Sequence, residues 1–152
     1  MKKKFSIILA LIVMLSVCIP SVTFAAYGST MPLNAQGTSD TIIYIKRPES
    51  HSASTSDRTY TISAVGKQGT AIKIYKYSDS QGVCNLIKNT TYIGASGFFS
   101  TVVTLNSDSN IFMVYAQNQS GDQVTRIDIN KIRKSTVNKL KSVTVTMKNF
   151  LG

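Results

Sequence analysis

Between Thr41 and Ile129 the chain runs in short segments of alternating apolar and polar side chains, each closed by a cluster of Gly, Asn, Asp or Ser. Successive side chains of a strand point to opposite faces, so this rhythm gives a backbone with one buried face and one wet face. Segment 59–65 shows it most plainly: Tyr60, Ile62 and Ala64 fall on one face, and Thr59, Thr61 and Ser63 on the other. The runs are also rich in β-branched and aromatic residues, which fit a pleated sheet and crowd a helix.

The same reading predicts seven strands, at 41–47, 59–65, 70–77, 83–88, 97–105, 111–117 and 122–129, and an eighth if the C-terminal segment adds one. Pro48 ends the first, and the Ser/Thr-rich stretch 49–57 is too polar to pack, so it is expected to be a loop. Residues 66–69, Gly-Lys-Gln-Gly, predict that 59–65 and 70–77 return on each other as a hairpin. Residues 118–121 predict the same for 111–117 and 122–129. Strand 83–88 is weaker and edge-like. Ile72, Ile74, Phe99, Val103, Leu105, Phe112, Val114 and Ala116 are expected to point inward. Many short antiparallel strands without intervening helices make an all-β chain, a sandwich of seven or eight antiparallel strands.

The N-terminus has a different character. Lys2, Lys3 and Lys4 precede an uncharged apolar run from Phe5 to Ile19, then Pro20 and small or neutral residues to Ala25. These are the three regions of a secretory signal peptide, so residues 1–25 are expected to be removed between Ala25 and Ala26. The run is shorter than the ~20 apolar residues a membrane anchor needs. Leu15-Ser16-Val17-Cys18 is a poor lipoprotein box, because Val17 is bulkier than the Gly, Ala or Ser usual before an acylated Cys and no polar tether follows. The 127 residues from Ala26 onward are one domain's worth of chain. Residues 26–40 lack a sustained apolar period and read as an extended leader, with order beginning near Thr41.

After processing, 14 basic residues face seven acidic ones, a formal charge of +7. A secreted cation meets anionic cell-wall polymers, headgroups or acidic polysaccharides, whereas export removes it from nucleic acid. Cys84 is left without a partner for an internal disulfide, so it is read as a small buried apolar residue.

Little in the chain supports catalysis. The single histidine, His51, lies in the polar loop, and Asp40, Glu49, Asp57, Asp79, Asp108, Asp122 and Asp128 are scattered among turns. None is placed as an acid/base pair, and Asp79, Asp108 and Asp122 lack the dense spacing of a calcium loop. No catalytic residue, metal or cofactor is therefore expected. Asn89-Thr90-Thr91 and Asn118-Gln119-Ser120 match the N-glycosylation pattern but read as turns.

Stretches 60–66 and 69–75, segment 97–105, and 110–116 ahead of Gly121 together resemble the bacterial immunoglobulin-like modules of secreted and surface proteins. The resemblance covers residues 41–130. It implies an immunoglobulin-like sandwich whose third and sixth strands are neighbours, and it leaves function to adhesion, spacing or carbohydrate-associated roles. The chain departs from such modules in being a single unit and in carrying a short basic extension, 131–152.

Two candidate sites follow. With Ile72 and Ile74 inward, Tyr75 and Tyr77 must project from the opposite face, beside Ile111, Met113 and Tyr115 of the sixth strand. Either the apolar side chains of 137–151 cover this face, or Tyr75, Tyr77, Met113 and Tyr115 form an exposed platform for a polysaccharide or another surface protein. The second site is charge. After Asp128 no acid follows, while Lys131, Arg133, Lys134, Lys139, Lys141 and Lys148 accumulate to +6. Such a tail suits attachment to an anionic cell-wall polymer. Spacing of Val137, Leu140, Val143 and Met147 suits a helix capped by Ser135, and residues 143–147 alternate like a strand. The extension is read as a short helix near 136–141, a strand, or both, packed on the sandwich. These readings describe a secreted, noncatalytic module associated with the cell envelope or extracellular matrix, or a soluble binding module using the tyrosine face.

Overall fold

The computed structural model describes residues 27–133 with Ser135, Thr136 and Lys139. The expected signal peptide, 1–25, lies outside them, as does most of the C-terminal extension. The described chain is all-β, with β1 Thr30–Pro32, β2 Ile43–Arg47, β3 Ser52–Thr55, β4 Thr59–Gly66, β5 Ala71–Ser78, β6 Val83–Tyr92, β7 Phe98–Thr104, β8 Ser109–Asn118 and β9 Gly121–Lys131. They form two sheets, β1-β6-β5-β8-β9-β3 and β2-β4-β7. No helix among the described residues is long and apolar enough to cross a membrane.

Alternation explains where the core sits. Ile43 and Ile45 of β2, Ile62 and Ala64 of β4, and Phe99 and Val103 of β7 turn inward from the small sheet. Ile72 and Ile74 of β5, Phe112, Val114 and Ala116 of β8, and Ile127 and Ile129 of β9 meet them from the large one. Each such side chain contributes about 1.5–3 kcal/mol by leaving water. At one end of this layer the buried Gln123 side chain ties the sheets together. Its Oε1 accepts from Ile43 N–H at 2.9 Å, and its Nε2 donates to the Ile43 carbonyl at 3.2 Å and to Thr125 Oγ1 at 3.0 Å. One amide thus replaces the strand pairing that β2 and β9 lack.

The β8–β9 hairpin forms as the sequence predicts, in register from Ser109 opposite Asn130 to Asn118 opposite Gly121. Five expectations are corrected. The leader is not outside the ordered domain, since β1 pairs antiparallel with the start of β6 and Met31 is buried. Segment 49–57 is not wholly loop, because β3 pairs with β9; that pairing is parallel, so the strands are not all antiparallel. Segments β4 and β5 do not pair as a hairpin: β4 lies between β2 and β7, and β5 between β6 and β8. The 66–69 turn instead sends Gly66 N–H to the Gly97 carbonyl and Gly69 N–H to the Ile93 carbonyl, so it carries the chain from one sheet to the other. Finally, β6 extends to Tyr92, and Asn89 lies in a strand irregularity opposite β5, not in a turn.

Candidate functional site

Ile72 and Ile74 do face the inter-sheet core, and β5 and β8 are neighbours, with Tyr75 opposite Met113 and Lys73 opposite Tyr115. The predicted outer face of the large sheet therefore exists. It is not an open platform: Tyr75, Met113 and Tyr115 are buried, and Tyr77 is half-buried. Residues 27–35 cover it, through Tyr27, Met31, Leu33 and Ala35. The exposed ligand surface read for Tyr75, Tyr77, Met113 and Tyr115 is corrected accordingly. Both faces of β5 and β8 are apolar, and the second must also be kept from water. The cover read for 137–151 lies outside the described residues.

The covering segment satisfies the polar ends of what it buries. The Tyr75 hydroxyl donates to the carbonyls of Tyr27 and Gly28 at 2.9 and 3.0 Å, and Lys73 Nζ donates to the Tyr27 carbonyl at 2.8 Å. The Tyr27 ring meets that of Tyr115 edge-on, with centroids 5.5 Å apart. Burial, then the Asp122 carboxylate and the neighbouring phenols, push the Tyr115 hydroxyl up to about 12. Tyr75 is raised as well, by burial and then Tyr27. Cys84, opposite Met31 in register, is buried, and burial raises its thiol against a smaller opposing pull from Arg126. The thiol stays protonated and unreactive at neutral pH.

Residues 33–39 then cross to the start of β9, where a clasp holds them. Thr38 Oγ1 donates to Asp122 Oδ1 at 2.6 Å, Thr38 N–H donates to the same oxygen at 3.1 Å, and Ser39 N–H donates to the Asp122 carbonyl at 2.9 Å. Gly37 makes the approach possible: a Cβ there would stand 2.5 Å from the Asp122 carbonyl oxygen. Asp122 is thus a structural anchor. His51 is exposed in the turn after β2, and among the described residues no three His, Cys, Asp or Glu side chains gather.

The basic candidates begin at the other end of β9. Eleven residues separate the β8–β9 turn from Lys131 inclusively, about 33 Å of strand. Lys131 Nζ donates to the Leu105 carbonyl at 3.1 Å, and Lys76 Nζ to the Thr104 carbonyl at 3.1 Å. Burial, then Lys131, lowers the Lys76 ammonium. Arg133 reaches Asp108 at 3.7 Å with both side chains largely in water, a weak pair. Lys139 is exposed, and Lys134, Lys141 and Lys148 lie outside the described residues.

A groove at the end of β9 opposite Lys131 was not read from the sequence. Tyr92 of β6, Ala71 of β5 and Gln117 of β8 stand in register side by side, and the 66–69 and 118–121 turns rise beside them. The groove encloses about 570 Å³ and adjoins a second hollow of about 500 Å³ walled by Tyr44. Tyr44 points outward between the inward Ile43 and Ile45. Tyr92 was hidden because the predicted strand ends at Lys88 and Asn89-Thr90-Thr91 reads as a turn. Searches of family models, curated proteins and solved structures found no match to this chain.

Proposed function

We propose that this chain is an exported, noncatalytic immunoglobulin-like module held at a phosphate-bearing cell-wall polymer by its basic C-terminal segment. The observation that carries the reading is charge segregation along the sequence: acids end at Asp128 in β9, and six cations follow from Lys131 at the end of that strand onward. A local run of cations attracts a polyanion through a field that salt screens, with a range of about 10 Å at 0.1 M and about 3 Å at 1 M.

The strand order supports the immunoglobulin-like part. If β2, β4 and β7 stand for strands A, B and E, then β6-β5-β8-β9 stand for C′-C-F-G, the order of a variable-type sandwich. Strand β1, outside β6, and strand β3, parallel to β9 at the other edge, lie outside those seven, and Cys84 leaves no pair for the inter-sheet disulfide of antibody domains. Function rests on the charge and not on the architecture.

Co-sedimentation with purified wall fragments tests the proposal. The full processed chain is expected to pellet at low salt and to be released by ~0.5 M sodium chloride. A variant with Lys134→Gln, Lys139→Gln, Lys141→Gln and Lys148→Gln should remain in the supernatant. Retention indifferent to both salt and these substitutions would overturn it.

A further inference from the structure

We infer that the groove between Tyr92 and Gln117 is a binding site for a neutral oligosaccharide. The groove lies at the end of β9 opposite Lys131, and none of the six C-terminal cations lines it.

The groove's floor and walls follow from strand register. Tyr92 pairs with Ala71, and Ala71 pairs with Gln117, so the three project side by side from the outer face of the large sheet. Neighbouring strands lie ~4.8 Å apart, which sets the two walls about 10 Å apart at their backbones with only a methyl group between them. A ring resting ~4 Å from the face of Tyr92 leaves its hydroxyls within reach of the Gln117 amide. The N-terminal segment that buries the rest of this face does not line the groove.

Chemistry of the walls selects the ligand. Tyr92 is 67% exposed and Tyr44 61%, the two most open tyrosines of the seven. An open phenol ring in a concave site offers an apolar face with a polar tip, which suits the C–H face and hydroxyl rim of a sugar. Gln68, Gln117 and Gln119 make no side-chain hydrogen bond among the described residues, so each presents a free carbonyl acceptor and a free amide donor. Hydroxyl groups of a sugar both donate and accept, and amides answer both needs. Asn118 shapes the wall instead: its Oδ1 accepts from Ser120 N–H at 2.8 Å and its Nδ2 donates to Thr70 Oγ1 at 3.4 Å.

Charge excludes the ionic alternatives. Lys67 is the one charged residue of the Tyr92 groove, and Asp40 is the one acid of the adjoining hollow. Neither an anion nor a cation would find a set of opposite charges. The two hollows border each other at Lys67, Asn118 and Ser120, with Tyr92 lining one and Tyr44 the other. Two adjoining hollows, each with its own tyrosine, fit several linked sugars better than one. Lys46 Nζ sits 4.8 Å from the Tyr44 ring centroid, which occupies one face of that ring and makes Tyr92 the main stacking surface.

The test is a glycan array displaying neutral and acidic oligosaccharides, followed by calorimetric titration of the retained neutral glycan against the full processed chain. Neutral oligosaccharides should be retained. Tyr92→Ala removes the stacking ring and Ala71→Trp fills the floor, and each should weaken binding at least ~tenfold. Both positions face outward, and circular dichroism with thermal melting verifies that the variants fold; Gln119→Ala, on the exposed turn, serves as a milder third variant, expected to weaken binding measurably. The four-Lys→Gln tail variant should bind as the parent does. Retention of no neutral glycan, retention of acidic glycans alone, or parental affinity in a folded Tyr92→Ala or Ala71→Trp chain would overturn the assignment.

Discussion

The large sheet buries an apolar cluster on each face, and the two are built differently. The inter-sheet cluster is aliphatic with Phe99 and Phe112, and both of its walls are sheets. The outer cluster joins Met31, Tyr75, Cys84, Met113 and Tyr115, and its cover is the segment 27–35, whose one strand has three residues. Between sheets, hydrogen-bonded ladders hold each wall in place independently of the contact. On the outer face the cover is held by a three-residue ladder to β6, by the hydrogen bonds from Tyr75 and Lys73 and by its apolar contacts, a smaller set of fastenings than a full sheet supplies. The inner layer should therefore carry global stability, and the outer layer should open first.

The largest effect is expected where the inner layer is cut. Phe112→Ala leaves a cavity in a site enclosed from both sides, and the loss should be about 3–5 kcal/mol, read from the denaturant midpoint. Met31→Ala should cost about 2–3 kcal/mol, because a short covering segment can settle toward the void. The sharper difference lies in the mode of opening. In Met31→Ala, Cys84 should react with a thiol reagent well before global unfolding, and in Phe112→Ala the two should coincide. Coincidence in both variants would erase the distinction between the layers.

Alkaline pH separates the layers without a cavity. The folded chain holds the Tyr115 proton to about pH 12, whereas an unfolded tyrosine releases it near pH 10. The stabilisation is fully present below pH 10 and is lost as pH rises through about 12. Lys76, lowered in the fold, acts with the opposite sign, so the informative quantity is the difference between the parent and Tyr115→Phe. The fall in melting temperature above pH 10 should be shallower in Tyr115→Phe. It should not vanish, because Tyr75 is raised in the same direction. Identical slopes would remove the buried phenol as a cause.

How much of this was legible depends on where the information resides. The alternation at Tyr60, Ile62 and Ala64, and at Phe112, Val114 and Ala116, named the inner layer correctly, because a strand's two faces are written in its own residues. The same alternation showed that Tyr75, Met113 and Tyr115 share an outer face. What covers that face is a long-range fact: Met31 and Leu33 carry no period that announces a partner fifty residues away. Strand β3 was hidden for a related reason, since Ser52, Ala53, Ser54 and Thr55 join the sheet through backbone pairing with β9 and not through an apolar face. A Gly-Lys-Gln-Gly turn looks the same whether it closes a hairpin or passes between sheets; only the remote carbonyls of Ile93 and Gly97 decide it. The groove was illegible as a unit because Tyr92, Ala71 and Gln117 meet only through register.

The smallest effect probes how the outer cover is fastened. Residues 27–35 lie on the cluster, and Thr38 and Asp122 lock the far end of the crossing with a 2.6 Å hydrogen bond. Thr38→Ala removes that bond and the reciprocal donation from Asp122 N–H to Thr38 Oγ1 at 3.1 Å, while the backbone donations from Thr38 and Ser39 remain. The expected loss is about 1–2 kcal/mol, the net worth of two hydrogen bonds, one of whose acceptors keeps another partner. Thr38→Ser should restore most of it, since only the hydroxyl is used. If the cover is held mainly by its contacts, amide exchange in 30–32 should accelerate little in Thr38→Ala and strongly in Met31→Ala. The reverse order would make the clasp, and not the apolar contact, the element that keeps the outer layer shut.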